Sequence, residues 1–191
     1  KVRERKINGL YIRDYSKGLD DIIQHMSPYT LNFSQKQAGF KTTIQEKVLH
    51  VLMNDLTYEV TTALKKDLVV EGGDEVILGD TPVKLMMKLH QLYSGTIKFE
   101  SGKKMILDYS KAEFIKKHFK GDKIAIFYKF TAELDALKIT FGDNLTTDLN
   151  TFKKTDKNIA LQIVSGREGI SLKEAKHIVY YNIDFSATSY W

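Results

Sequence analysis

Three apolar runs constrain the fold of this chain more than any other feature. They are "KIAIFYKF", "IALQIV" and "HIVYYNI", at 123–130, 159–164 and 177–183. A strand with one wet face alternates apolar and polar residues. Nearly unbroken apolar runs therefore indicate strands buried on both faces, the condition of a parallel sheet covered by helices. Between the runs, "SKAEFIKKHF", "TAELDALK" and "LTTDLNTFKK" read as helices. Strand and helix alternate from Tyr109 onward, which makes the fold class α/β with a parallel sheet sandwiched by helices. Ligands of such sheets sit at the carboxyl ends of the strands. The exits at 129–131, 165–169 and 182–186 are expected along one edge.

Upstream, "TTIQEKVLHVLMN" at 42–54 is read as a strand. Leu56, Val60, Leu64 and Leu68 then recur at helical spacing, and a helix is expected over 55–68. A second is expected over 82–94, opened by Pro82 and stopped by Gly95, with Met86, Met87, Leu89 and Leu92 as core. "VVEGGDEVILGDTP", 69–82, is the most loop-like segment and the best internal boundary. Ser101-Gly102-Lys103 invites a phosphate-loop reading, but Ile97 and Lys104 stand where that loop needs glycine and a hydroxyl. Alternating runs on both sides make a hairpin turning at Ser101-Gly102 the better reading.

A chain of 191 residues, 42% hydrophobic, has ample material for one large domain or a domain with an appendage. Zero cysteines exclude disulfides and thiolate metal sites, and suit a reducing cytoplasm. No apolar stretch has membrane-spanning length and no signal-peptide core follows the basic start, so no membrane association is expected. The formal charge of +5 weakly favours a polyanionic partner. The lysine-rich run 111–123 and the cluster Lys153, Lys154 and Lys157 read as solvated helix faces.

No two of the five histidines sit at metal-ligand spacing, no Gly-x-Ser-x-Gly elbow occurs, and the acidic pairs read as helix starts or loops. Neither a catalytic residue nor a metal site is expected. Gly166 and Gly169 permit a tight backbone path near an anion, and a helix opening at Gly169–Ser171 would aim its dipole outward. Arg167 between them admits a phosphate pairing or a plain turn with an incidental arginine.

The order of "MMKLHQLYSGTI", "YSKAEFIKKHF", "KIAIFYKFTAELDALK" and "FKKTDKNIALQIVSGREGISLKEAKHIVYYNIDFSATSYW" resembles the second RecA-like domain of superfamily-two helicases and translocases. The resemblance runs from Tyr29 to Trp191 and is closest to the compact Swi/Snf-like enzymes of phages and prophages. It implies a lead-in at 1–41 and a helicase domain at 42–191, with a helical insertion and hairpin at 55–107. "IAIFYKF" resembles motif IV, beside the nucleic-acid backbone, and "IVSGREGISLKEA" resembles motif V. On that match Gly169, Ile170 and Ser171 face the nucleotide. Two positions depart from the pattern: Arg167 stands where glycine or alanine is usual, and Ile163 stands where the family has threonine. "YYNIDFSATSYW" resembles the approach to motif VI, so the sequence reads as cut before the arginine finger.

What the resemblance implies is a second motor domain that closes an ATP cleft and grips nucleic acid, DNA before RNA. ATP and Mg2+ would belong to the longer parent, with neither tightly bound here. The first RecA-like domain would be the partner, and this piece alone would be inactive. Lys129, Phe130, Ser165, Gly166 and Arg167 are the expected backbone contacts. The alternative is a non-catalytic RecA-like module for nucleic-acid or protein binding.

Overall fold

The computed structural model describes residues 3–7, 10–14, 19–31, 37, 39, 45–166, 170–183 and 185, with backbone alone at 3–5, 7, 10, 12–14, 19, 165 and 166. The chain divides into two compact units, Lys1–Val48 and Leu49–Trp191. In the first, β1 (Arg3–Ile7) pairs antiparallel with β2 (Leu10–Asp14), from Arg3 opposite Asp14 to Ile7 opposite Leu10. Helix α1 (Leu19–Met26) has Asp20 and Asp21 in its first turn, charges that suit its dipole. The expected lead-in thus holds a hairpin and a helix that the sequence reading did not assign.

The chain on both sides of the Val48–Leu49 division is irregular. Residues 45–54 form no strand, which corrects the reading of 42–54 as far as it is described (42–44 lie outside the described residues). Val48 and Leu52, on the supposed apolar face, are 80% and 87% exposed, so that face is not buried against a sheet. Helix α2 (Asp55–Asp67) begins where the Asn54 side chain accepts the Thr57 N–H at 3.0 Å. It ends at Leu68, whose N–H donates to Leu64 O at 3.0 Å from a left-handed conformation, φ 60°. Leu68 is 41% exposed, not core as its spacing suggested. Left-handed leucine costs ~1–2 kcal/mol. Leu68→Gly is therefore expected to raise the unfolding free energy measured in urea by about 0.5–1 kcal/mol after glycine's greater unfolded-state entropy is deducted.

The segment read as a loop is a hairpin. Strand β3 (Val69–Gly72) pairs antiparallel with β4 (Glu75–Leu78), and Gly73 makes the turn at φ 62°. Helix α3 (Pro82–Leu92) has Pro82 in its first turn and its N-cap Thr81 accepting the Lys84 N–H at 3.3 Å. Strands β5 (Thr96–Lys98) and β6 (Lys104–Ile106) form the hairpin expected around Gly102. Ile97 and Phe99 are buried with Leu64, Ile77 and Leu92 in a core of their own, and Lys104 Nζ donates to Thr131 Oγ1 at 2.6 Å.

The rest is the α/β portion: α4 (Ser110–His118), β7 (Ile124–Tyr128), α5 (Thr131–Phe141), β8 (Leu145–Thr146), α6 (Leu149–Lys154), β9 (Asn158–Gln162), the single turn α7 (Ile163–Gly166) and β10 (His177–Tyr180). The sheet order is β10-β7-β9-β8 with every pairing parallel. All five residues of β7 are buried. Ile124, Ile126 and Tyr128 meet Ala112 and Ile115 of α4 and Leu137 and Phe141 of α5. Ala125, on the other face, meets Ile159 and Phe152 of α6. Helices on both faces account for the unbroken apolar run, and the architecture is the expected α/β class, consistent with a RecA-like fold.

Two boundaries differ from the sequence reading. Leu145–Thr146 are a short edge strand and not the start of a helix. The run 159–164 stops being strand at Gln162, because its neighbour β7 ends at the paired Tyr128 and nothing remains to continue the ladder. Nor is the lysine run 111–123 a wholly solvated face. Lys116 Nζ donates to Thr140 O at 2.6 Å, and Lys123 Nζ donates to Phe152 O and Thr155 O, both at 2.6 Å. Among the described residues no helix is long and apolar enough to cross a membrane.

Candidate functional site

Parallel register fixes where the strand exits lie. Tyr128 is level with Gln162 of β9, and Phe127 with Tyr180 of β10. The chain leaves the sheet on one edge at Lys129–Phe130, at Ile163 and at Tyr181–Asn182. Lys129 and Phe130 are half-buried. Lys129 Nζ stands 5.6 Å from the Phe130 ring centroid and 4.9 Å from that of Phe185, a cation between two rings.

Ser165 and Gly166 are the last residues of the one-turn helix α7. Arg167 and Gly169 lie outside the described residues. Ile170 is half-buried and Ser171 exposed, and the chain through 170–172 is irregular. The expected helix opening at Gly169–Ser171 is therefore not formed in its described part. The helical turn comes earlier, where Ile163, 1% exposed, keeps its side chain in the core.

Behind this edge sit polar groups that sequence reasoning missed. Glu133 of α5 is fully buried. Its Oε2 accepts the backbone N–H of Lys129 at 2.7 Å and of Phe130 at 3.0 Å, so the carboxylate caps its own helix start and fastens the β7 exit. Its Oε1 accepts Asn182 Nδ2 at 2.9 Å, and Asn182 Oδ1 meets His90 Nε2 at 2.5 Å. His90 packs against Phe130 and Phe185 with ring centroids 5.3 Å and 4.6 Å away. Lys111 Nζ lies 3.4 Å from Tyr181 O.

The electrostatics follow from this crowding. Burial lowers the His90 pKa, the hydrogen bond to Asn182 opposes the fall and Lys129 adds to it. Burial likewise lowers the Lys111 ammonium, against the pull of Glu133. Burial, then the charges of Glu133 and Asp108, push the Tyr181 phenol well up, and its buried hydroxyl has no hydrogen-bond partner. The only sequence signal for this group was an acidic residue in the first turn after a strand exit. His90 reads from sequence as one more residue of a core helix.

A cleft of about 1000 Å³ lies elsewhere, at the amino ends of the strands, where Asp122, Asn144 and Asn158 line it. It is an open groove lined also by Lys116, Lys117, Lys120 and Lys123, and not the place where a parallel sheet gathers its ligands. The carboxyl edge, with its aromatic rings, its cations and its buried carboxylate, is the candidate site. Comparison with protein-family models, with curated proteins and with solved structures finds no match.

Proposed function

We propose that this chain supplies the second motor domain of an ATP-dependent, cytoplasmic nucleic-acid helicase or translocase, gripping the nucleic-acid backbone along the carboxyl edge of its sheet. The observation that carries the reading is the parallel register. It sets the exit of the motif IV-like strand, Lys129–Phe130, beside the exit of the motif V-like strand at Ile163. A motor that steps along any sequence needs backbone contacts, for which cations, hydroxyls and N–H groups suffice. Lys104, at the edge through Thr131, adds a cation that the sequence reading did not include.

The nucleotide would meet this chain at Gly169, Ile170 and Ser171. The exposed Ser171 hydroxyl suits a sugar hydroxyl, and half-buried Ile170 suits an apolar flank. These residues fit one side of a nucleotide, not its phosphates or Mg2+, which the reading leaves to the first RecA-like domain. No hydrolytic step is assigned to residues of this chain.

The test is binding of labelled single-stranded DNA and RNA by anisotropy, between roughly 50 and 200 mM salt. Lys129→Ala and Arg167→Ala are each expected to weaken binding of all sequences alike and to reduce the salt slope by about one. Unchanged affinity and slope in both variants would take these residues off the track and favour a protein-interaction module.

A further inference from the structure

The buried groups behind the edge form a chain with one direction. A carboxylate only accepts hydrogen bonds, so Glu133 forces Asn182 to turn its NH2 toward Oε1 and its carbonyl toward His90. A neutral His90 must then carry its proton on Nε2. Its Nδ1 is left as a bare lone pair, buried and without a partner. Three parts of the fold meet in this chain: the β7 exit through the N–H groups of Lys129 and Phe130, the β10 exit through Asn182, and α3 through His90. Helix α3 otherwise belongs to the separate core of Leu64, Ile77, Leu92, Ile97 and Phe99. The chain is thus a polar tie between that substructure and the sheet edge.

We propose that Glu133 is a positioning residue for nucleic-acid engagement, fixing Lys129 and Phe130 against Asn182 and His90 so that the placement of α3 and the grip on the strand are set together. This rests on the nucleic-acid reading above. Glu133 is buried and touches no substrate; it acts through the loop it holds. The geometry makes a sharp demand on Glu133→Gln. Glutamine offers one carbonyl and one NH2. If its carbonyl keeps the two backbone N–H groups, its NH2 opposes that of Asn182. Relief requires Asn182 to rotate and His90 to move its proton to Nδ1. If the carbonyl turns to Asn182 instead, the N–H groups of Lys129 and Phe130 lose their acceptor.

The experiment is long-range 1H–15N NMR of the histidine-labelled chain, with backbone amide shifts and anisotropy binding of a labelled single-stranded DNA. Wild type is expected to show His90 as the Nε2–H tautomer. Glu133→Gln is expected either to switch His90 to Nδ1–H or to move the Lys129 and Phe130 amide resonances, with affinity down about tenfold. His90→Phe keeps a ring on Phe130 and Phe185 and leaves Glu133 on its two N–H groups, so it guards against a Glu133→Gln chain that fails to fold. It is expected to weaken binding about threefold, as loss of one hydrogen bond does. An Nδ1–H tautomer in wild type, or a Glu133→Gln spectrum unchanged at His90, Lys129 and Phe130, would overturn the chain of bonds. Altered spectra with unaltered binding in both variants would overturn the positioning role. A wild-type chain that binds no nucleic acid would sink the functional reading and the role together, while the tautomer still decides whether the chain of bonds exists.

Discussion

Gly95→Ala is expected to cost at least ~3 kcal/mol, enough to remove much of the stability of a domain this size. Gly95 sits at φ +81°, where an alanine pays ~1–2 kcal/mol for the left-handed conformation alone. A Cβ there would also stand 2.3 Å from the Asp108 carbonyl oxygen. The backbone has little room to retreat. Gly95 N–H donates to Leu92 O at 2.8 Å, and Gly95 O accepts Leu107 N–H at 2.8 Å and Asp108 N–H at 3.1 Å. Gly102→Ala is the control, since Gly102 has φ +90° but nothing within 4 Å of a built Cβ. It should lose only about 1 kcal/mol. Equal losses by urea denaturation would show that the approach to Asp108 is not what requires glycine.

Asp108→Ala is the second large effect, about 3 kcal/mol, because it orphans several donors at once. Asp108 is 2% exposed. Its carboxylate accepts the N–H of Asn54 and of Ser110, each at 2.7 Å, and lies 3.0 Å from the Thr57 hydroxyl. It thereby fastens the start of α2 to the start of α4. Burial pushes its pKa up, but the hydrogen bonds from Ser110, Asn54 and Thr57 outweigh burial and the net shift is down from 3.8. The folded state therefore favours the ionised form. The stabilisation is fully present above the unfolded value and is lost as pH falls below it toward the folded one. Wild type should lose stability below about pH 4 through this group. Asp108→Asn, weaker at pH 7, should converge on wild type in acid. Parallel curves for the two proteins across that range would contradict the assignment.

What the sequence made legible is what local pattern encodes. Ile124–Tyr128 has no polar residue before its last position, and it is an interior strand, buried throughout. Pro82 and Gly95 bracket α3 as their chemistry demands. The β3–β4 hairpin was hidden because its two apolar pairs flank a polar turn too dense to look like sheet. Strand β8 was hidden because two residues carry no period. At the site, Lys129 and Phe130 could be placed because strand exits follow from the sheet. Glu133 could not, since its partner Asn182 is 49 residues away and His90 lies 92 residues from Asn182. An acid in the first turn of a helix looks like a dipole partner until register shows what it holds.

The strand order also sets a timetable for synthesis. Strand β7, wholly buried in the finished fold, is the first strand of its sheet to be made, yet both of its neighbours come later. Ala125 pairs with Ile159 and Ile124 with His177, partners about 34 and about 53 residues downstream. At roughly 5–20 residues per second, a ribosome leaves its backbone unpaired for about 2–7 s before β9 is made and about 3–11 s before β10. Strand β9 waits less, because β8 precedes it and Leu145 pairs with Asn158 across only a short connection. Of the strands of this sheet, the wholly buried one thus waits longest for both its partners, and a translational pause between β7 and β9 would lengthen the interval in which it can pair with another chain.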